Sequence, residues 1–225
     1  MENVLYFMEL SENAKVIEME YDKLMNLLPS AKQTQIHKFR FDIDKKLSLL
    51  SDVFVRYFVC TVLNFNNAEL SFSKNIFGKP YLTKCSDFHY NISHTRNAIA
   101  IGISEKPIGV DIEKIRSTDL KIAERFFCKS EVDYIFSKED EQEKLFYEIW
   151  TRKEAYIKFL GKGLSMLLTA FDVISDNISK SLVTFEINEY IISICNAIGF
   201  SNKNIVKLNE EETTEVLADF ASHLI

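Results

Sequence analysis

The sequence predicts a mixed α+β fold, and three stretches carry that reading. Ile108-Gly109-Val110-Asp111-Ile112-Glu113 alternates apolar residues with small or acidic ones, the period of a strand. Ala98-Ile99-Ala100-Ile101-Gly102-Ile103 is a short unbroken apolar run with the length of a buried strand. Phe146, Ile149, Trp150, Ile157 and Leu160 instead recur at helical spacing, as do Leu47, Leu50, Phe54, Tyr57 and Phe58 within residues 44–63.

The elements follow in order. Val4-Leu5-Tyr6-Phe7-Met8 is too short for the apolar region of a leader and has no basic flank, so it reads as a first strand. The aromatics of residues 44–63 read as core rather than as a ligand platform. The strand at 98–103 is expected to hairpin through Pro107 into the acidic strand, and the turn Glu105-Lys106-Pro107 divides a first half, 1–105, from a second, 106–225. Ser130, with Asp133 three residues on, marks a helix start with Val132, Ile135 and Phe136 turned inward. Phe185-Glu186-Ile187 and Tyr190-Ile191-Ile192-Ser193-Ile194-Cys195 form a closing hairpin, followed by an acidic helix.

Composition narrows the class. A chain of 225 residues, 47% hydrophobic, can bury a full core, and with three prolines and six glycines it has no Ser/Gly-rich linker. The net charge of −6 argues against nucleic acid as a partner. Most of that charge belongs to the stretch from Ile205 onward, where Lys207 stands against Glu210, Glu211, Glu212, Glu215 and Asp219. A basic surface around Lys121, Arg125 and Lys129 can therefore coexist with the acidic total, either as a solvated helix face or as a patch that steers an acidic partner. Cys60, Cys85, Cys128 and Cys195 form no C-x-x-C pair and read as reduced, mostly buried thiols. No segment reaches bilayer-spanning length, so a cytoplasmic protein without a membrane partner is expected.

The chemistry begins with Asp111 and Glu113, which share one strand face with their Cα atoms roughly 6.5–7 Å apart. Two carboxylates so placed repel unless a cation lets both stay ionised; a solvated acidic edge is the competing reading of the strand alone. Gly109 on the same face leaves room for a ligand or marks a close backbone approach. On the helix, Glu154 and Lys158 stand four residues apart, which alone fits a surface ion pair. Taken with the strand, Asp111, Glu113 and Glu154 form a ligand set suited to Mg²⁺, with Arg152, Lys153, Lys158 and Lys162 facing phosphate groups.

Four blocks in order now carry a resemblance. They are Phe77-Gly78-Lys79-Pro80-Tyr81, Tyr90-Asn91-Ile92-Ser93-His94, Gly109-Val110-Asp111-Ile112-Glu113, and Trp150-x-x-Lys153-Glu154-Ala155-x-x-Lys158 followed by Gly161-Lys162-Gly163-Leu164. The chain resembles the 4'-phosphopantetheinyl transferases of the surfactin-synthetase-activating type. The resemblance implies an α+β fold of two similar α/β halves related by a pseudo-two-fold, with the coenzyme site between them, 1–105 contributing to coenzyme A binding and 106–225 holding Mg²⁺ and catalysis. It implies transfer of 4'-phosphopantetheine from coenzyme A to a serine of an apo acyl or peptidyl carrier protein, releasing adenosine 3',5'-bisphosphate.

The residue roles it implies are Asp111, Glu113 and Glu154 as Mg²⁺ ligands, and Lys79, Pro80, Ser93, His94, Lys153 and Lys158 as coenzyme contacts. Lys158 acts in catalysis by offsetting charge on the leaving phosphate. The general base is Glu131, Glu154 or a metal-bound water. A monomer is expected, because a two-half chain builds its own cleft. Two other functions fit some of these residues: a coenzyme- or carrier-binding module without catalysis, and a Mg²⁺-dependent pyrophosphohydrolase of nucleotide cofactors.

Overall fold

A computed structural model describes residues 3–12 and 14–224. In chain order the elements are β1 (Val4–Glu9), α1 (Lys15–Met25), α2 (Ser30–His37), α3 (Asp42–Val62), β2 (Phe72–Lys74), β3 (Pro80–Leu82), β4 (His89–Thr95), β5 (Ala98–Ser104) and β6 (Ile108–Lys114). Then come α4 (Lys121–Phe126), α5 (Lys129–Ile135), α6 (Gln142–Leu160), α7 (Asp176–Ser179), β7 (Leu182–Ile187), β8 (Tyr190–Asn196), β9 (Ile205–Leu208) and α8 (Glu210–Leu224). The α+β class is therefore as the periodicity indicates.

The chain forms two compact units. One is built mainly from Phe72–Thr95 and Ala100–Ile205, the other mainly from Tyr6–Ser71 with Arg96–Ile99 and the stretch from Val206. Phe72–Thr95 thus lies in the same unit as Ala100–Ile205.

The first unit carries every residue singled out for chemistry. Its sheet is antiparallel, in the order β6-β8-β7, with Asp111 opposite Ser193 and Gly109 opposite Cys195. The expected β7–β8 hairpin is present, turning at Asn188 and Glu189, with Asn188 at φ 55°, a left-handed conformation that Asn tolerates in tight hairpins. The expected β5–β6 hairpin is not: β6 takes β8 as its partner. At Gly102 a Cβ would meet the side chains of Val110 and Ile108, a contact of faces and not of paired edges. The strand β5 meets β6 through side chains on its face, so the turn at Ser104–Pro107 carries the chain from one layer to another.

Helix α6 lies on this sheet through Ile149, Ala155 and Ile157, which pack with Leu182, Ile191 and Cys195 in one core. It ends at Gly161, whose φ of 65° permits the left-handed C-cap and whose N–H reaches the carbonyls of Ile157 and Lys158. Helix α5 starts two residues earlier than the Ser130 expectation. Cys128 is its N-cap, and Glu131 closes a capping box by accepting from Cys128 N at 2.8 Å. Ile135 is buried, but the helix ends there and Phe136, its C-cap, is exposed, contrary to the expectation for Phe136. Of the four free cysteines only Cys195 is buried, the other three being partly accessible.

The second unit packs α1, α2, α3 and α8. The periodicity of α3 holds: Leu47, Leu50, Phe54 and Phe58 are buried. Tyr57 meets Phe220 of α8 edge-on at 5.3 Å between ring centroids. Lys32 pairs with Asp52, Lys45 with Asp42 and Lys46 with Glu18. No helix among the described residues is long and apolar enough to cross a membrane.

Candidate active site

The strand pattern of β6 translates directly into side-chain placement. Ile108, Val110 and Ile112 are fully buried on one face, and Gly109, Asp111 and Glu113 take the other. That second face meets α6. A Cβ at Gly109 would collide with the backbone of Ala155 and Phe159, so the glycine serves a close approach of strand to helix rather than space for a ligand. The approach brings Glu154 and Lys158, one turn apart on α6, to the acids of β6.

Lys158 places its ammonium 2.6 Å from Asp111 Oδ1, and also donates to Ser93 Oγ at 2.9 Å and to the Val110 carbonyl at 3.1 Å. Ser93 Oγ donates to the same Oδ1 at 2.9 Å. The other oxygen of Asp111, Oδ2, is buried without a hydrogen-bond partner. A buried carboxylate oxygen left unpaired is costly, and it is what a ligand or ion would satisfy.

Strand β4 supplies the remaining polar contacts through alternate residues. Asn91 accepts from Val110 N at 2.7 Å, Ser93 reaches Asp111, and Thr95 Oγ1 donates to Glu113 Oε2 at 2.9 Å. His94 falls between them and is exposed, whereas Ser93 is buried. Thr95 has no role in the sequence reading, although Asn91-x-Ser93-x-Thr95 shows period two.

The electrostatics are those of crowded acids. Burial raises the proton affinity of Glu113, the charge of Asp111 raises it further, and the Thr95 hydrogen bond and the charges of Arg116 and Lys158 pull it back. Burial raises Glu154 likewise, again with Asp111 adding and Lys158 opposing. Both glutamates therefore sense Asp111. Among the described residues no three His, Cys, Asp or Glu side chains are gathered as a ready coordination group. Asp111 commits one oxygen to Lys158 and Ser93, and Glu113 one to Thr95.

Two residues assigned to chemistry lie elsewhere. Glu131 and Lys153 form an ion pair at 2.8 Å with both side chains completely buried. Glu131 further accepts from Val173 N, and Lys153 donates to the carbonyls of Leu168 and Phe171 at 2.7 Å each. A carboxylate so enclosed cannot meet the hydroxyl of an incoming protein, and an ammonium so enclosed cannot meet a phosphate. Both are corrected to structural roles, tying α5 and the 168–173 loop to α6. Arg152 instead reaches Thr184 Oγ1 at 3.1 Å, and Lys162 is exposed.

Lys79 is also used differently. Its ammonium donates to the carbonyls of Ile108 at 2.9 Å, Lys158 at 2.6 Å and Phe159 at 3.4 Å. Burial lowers its pKa to about 8, so it stays charged at neutral pH. Pro80, next in sequence, opens β3 and pairs with Lys74 of β2.

In this α+β chain β6, α6 and β4 bring Asp111 together with Lys158 and Ser93, with Glu113 and Glu154 near enough to feel the charge of Asp111. Comparison with known proteins gives the class. The 4'-phosphopantetheinyl transferase superfamily matches residues 107–205, and its separate N-terminal family, 4'-phosphopantetheinyl transferase, N-terminal, matches 15–106. The chain is 40% identical over 155 residues to the 4'-phosphopantetheinyl transferase ffp of Bacillus subtilis, covering 68% of this chain and 69% of that one. It is 36% identical, with the same coverage, to the 4'-phosphopantetheinyl transferase Sfp of Bacillus subtilis strain 168. With the 4'-phosphopantetheinyl transferase gsp of Aneurinibacillus migulanus it shares 36% identity over 190 residues, 78% of this chain and 79% of the other. The chain belongs to the 4'-phosphopantetheinyl transferase superfamily, in the surfactin-synthetase-activating type.

Proposed function

We propose that this transferase moves the 4'-phosphopantetheine moiety of coenzyme A onto a serine of an apo acyl or peptidyl carrier protein, releasing adenosine 3',5'-bisphosphate. The observation that carries the reading is the unpaired buried Oδ2 of Asp111 beside two glutamates whose proton affinity is raised. Such a group is short of positive charge, and a hard dication suits an all-oxygen donor set. Asp111, Glu113 and Glu154 would hold Mg²⁺. When bound, Mg²⁺ supplies charge neutralisation for the coenzyme pyrophosphate.

The chain's own residues do the rest. The serine oxygen forms a bond to the pantetheine-side phosphorus while that phosphorus loses its bond to the bridging oxygen, which leaves with adenosine bisphosphate. The serine proton passes to a carboxylate of this cluster or to water. Lys158 carries the only ammonium bonded to Asp111 among the described residues, and it is positioned to exchange that bond for an oxygen of the leaving phosphate. The first half contributes coenzyme contacts from Pro80, Ser93, exposed His94 and the Lys79 stem, and the second half contributes the acids and Lys158. All of these come from one chain, so the proposed site needs no second copy.

The test is to incubate the protein with coenzyme A and Mg²⁺, with and without an apo carrier protein, and weigh the products. A carrier heavier by one phosphopantetheine supports the reading. Coenzyme cleaved in the absence of carrier would indicate a pyrophosphohydrolase, and bound but unchanged coenzyme a binding module; either result sinks the proposal.

A further inference from the structure

The turn between β2 and β3 is seated on the end of α6. Asn75 Nδ2 donates to the Gly161 carbonyl at 2.8 Å, while Asn75 Oδ1 accepts from Phe77 N and Lys79 N at 2.9 Å each, which holds the turn in shape. Gly161 and Gly163 lie so close beneath it that added Cβ atoms would crowd Asn75 Nδ2 and the Phe77 carbonyl. From this turn the Lys79 ammonium reaches the carbonyls of Lys158 and Phe159 at the end of α6 and that of Ile108 at the start of β6.

A helix leaves its last carbonyls without intrahelical donors, and a cation there is favoured by the helix dipole. An ammonium has three N–H groups, and each of Lys79's has a carbonyl, leaving none for a phosphate oxygen. The two elements it joins carry the site: Asp111 and Glu113 on β6, Glu154 and Lys158 on α6. We infer that Lys79 is a positioning residue, whose ammonium clamps the end of α6 to the start of β6 and so sets where Lys158 and Glu154 stand relative to Asp111. The clamp itself is geometry; its effect on turnover rests on the transferase reading above.

The experiment compares wild type with Lys79→Met, which keeps the stem and drops the donors, and with Lys79→Arg, which restores them. Amide hydrogen exchange of residues 158–163 is read first, without coenzyme or carrier. Transfer kinetics follow, at a temperature where each variant is fully folded, and calorimetry gives the coenzyme A dissociation constant. Expected for Lys79→Met are exchange at least fivefold faster at 158–163, kcat at least tenfold lower, and a coenzyme dissociation constant within twofold of wild type, with Lys79→Arg recovering most of the kcat.

A dissociation constant weakened tenfold with unchanged exchange would make Lys79 a ligand contact and overturn the inference. Faster exchange with unchanged kcat would reduce it to a stability feature, and an arginine variant as slow as the methionine one would show that the donors are not what matters; both also overturn it. If Lys79→Met does not fold, Asn75→Ala removes the second tie, at Gly161, and the same measurements decide. Should wild type transfer nothing, the transferase reading fails with the kcat arm, while the exchange arm still decides on the clamp.

Discussion

Glu131 and Lys153 face each other at 2.8 Å with no solvent access to either side chain, linking α5 to α6 one residue before Glu154. Removing one member strands the other as a buried charge. Glu131→Gln or Lys153→Met is expected to cost about 3 kcal/mol or more, the range for breaking buried pairs. The double variant should lose less than the two costs added together. Denaturant unfolding of the four proteins measures this. A Glu131→Gln protein of wild-type stability that cannot turn over would restore Glu131 to the chemistry.

Asp111→Ala should lower transfer at least a hundredfold while the variant still folds, since its unpaired oxygen and its bonds to Lys158 and Ser93 serve the site rather than the core. A ligand that binds only the folded protein raises its stability. The melting temperature of wild type should therefore rise with added Mg²⁺, and that of Asp111→Ala should not. Equal rises in both proteins would remove Asp111 from the metal site.

The pH dependence follows from Glu154 and Glu113. Each holds its proton more tightly folded than the ordinary value of 4.5. In the metal-free protein their contribution to stability is thus complete below pH 4.5 and is lost as pH rises through their raised values. With EDTA present, wild type should lose stability over that window relative to Glu154→Gln, which has no proton to release there. Thermal melts of both proteins from pH 4 to 8 test it, and parallel curves would contradict the crowding of acids around Asp111.

Lys121, Arg125 and Lys129 are all exposed on α4 and α5; Arg125 lies over the ring of Phe126, and Lys129 pairs with Asp133 four residues on. If this surface receives an acidic carrier protein, Arg125→Glu with Lys129→Glu should raise the carrier KM severalfold at low salt and leave the coenzyme KM unchanged. The difference should shrink as salt rises, because such fields are screened over about 8–10 Å. Kinetics at two ionic strengths decide, and an unchanged carrier KM at low salt would clear this patch of the role.

What could be read in advance was whatever depends on period or on a short block. The alternation of β6 alone puts Asp111 and Glu113 on one face, and the spacing of α6 puts Glu154 and Lys158 one turn apart. What could not be read depends on partners distant in sequence. Nothing local distinguishes Lys153, sealed against Glu131, from Lys158, which meets Asp111, although both sit in one helix. Lys79 stands in a block that reads as a turn beside a ligand, and its three carbonyl partners lie 29 to 80 residues away. Thr95 was the recoverable omission, since it continues the period of Asn91 and Ser93. Phe136 does not turn inward with Val132 and Ile135 because α5 ends at Ile135 and Phe136 is its C-cap, a boundary that no local signal marks.

The contact at Gly109 has one more consequence. Where a strand and a helix touch main chain to main chain, no side chain remains between them to be lengthened or trimmed, so the gap across the acids behaves as a fixed gauge rather than an adjustable one. Variation in what this site accepts must therefore come from exchanging the groups that line it, not from widening the opening. An alanine at position 109 would act as a shim, forcing α6 off β6 and disturbing Glu154 and Lys158 together without touching either.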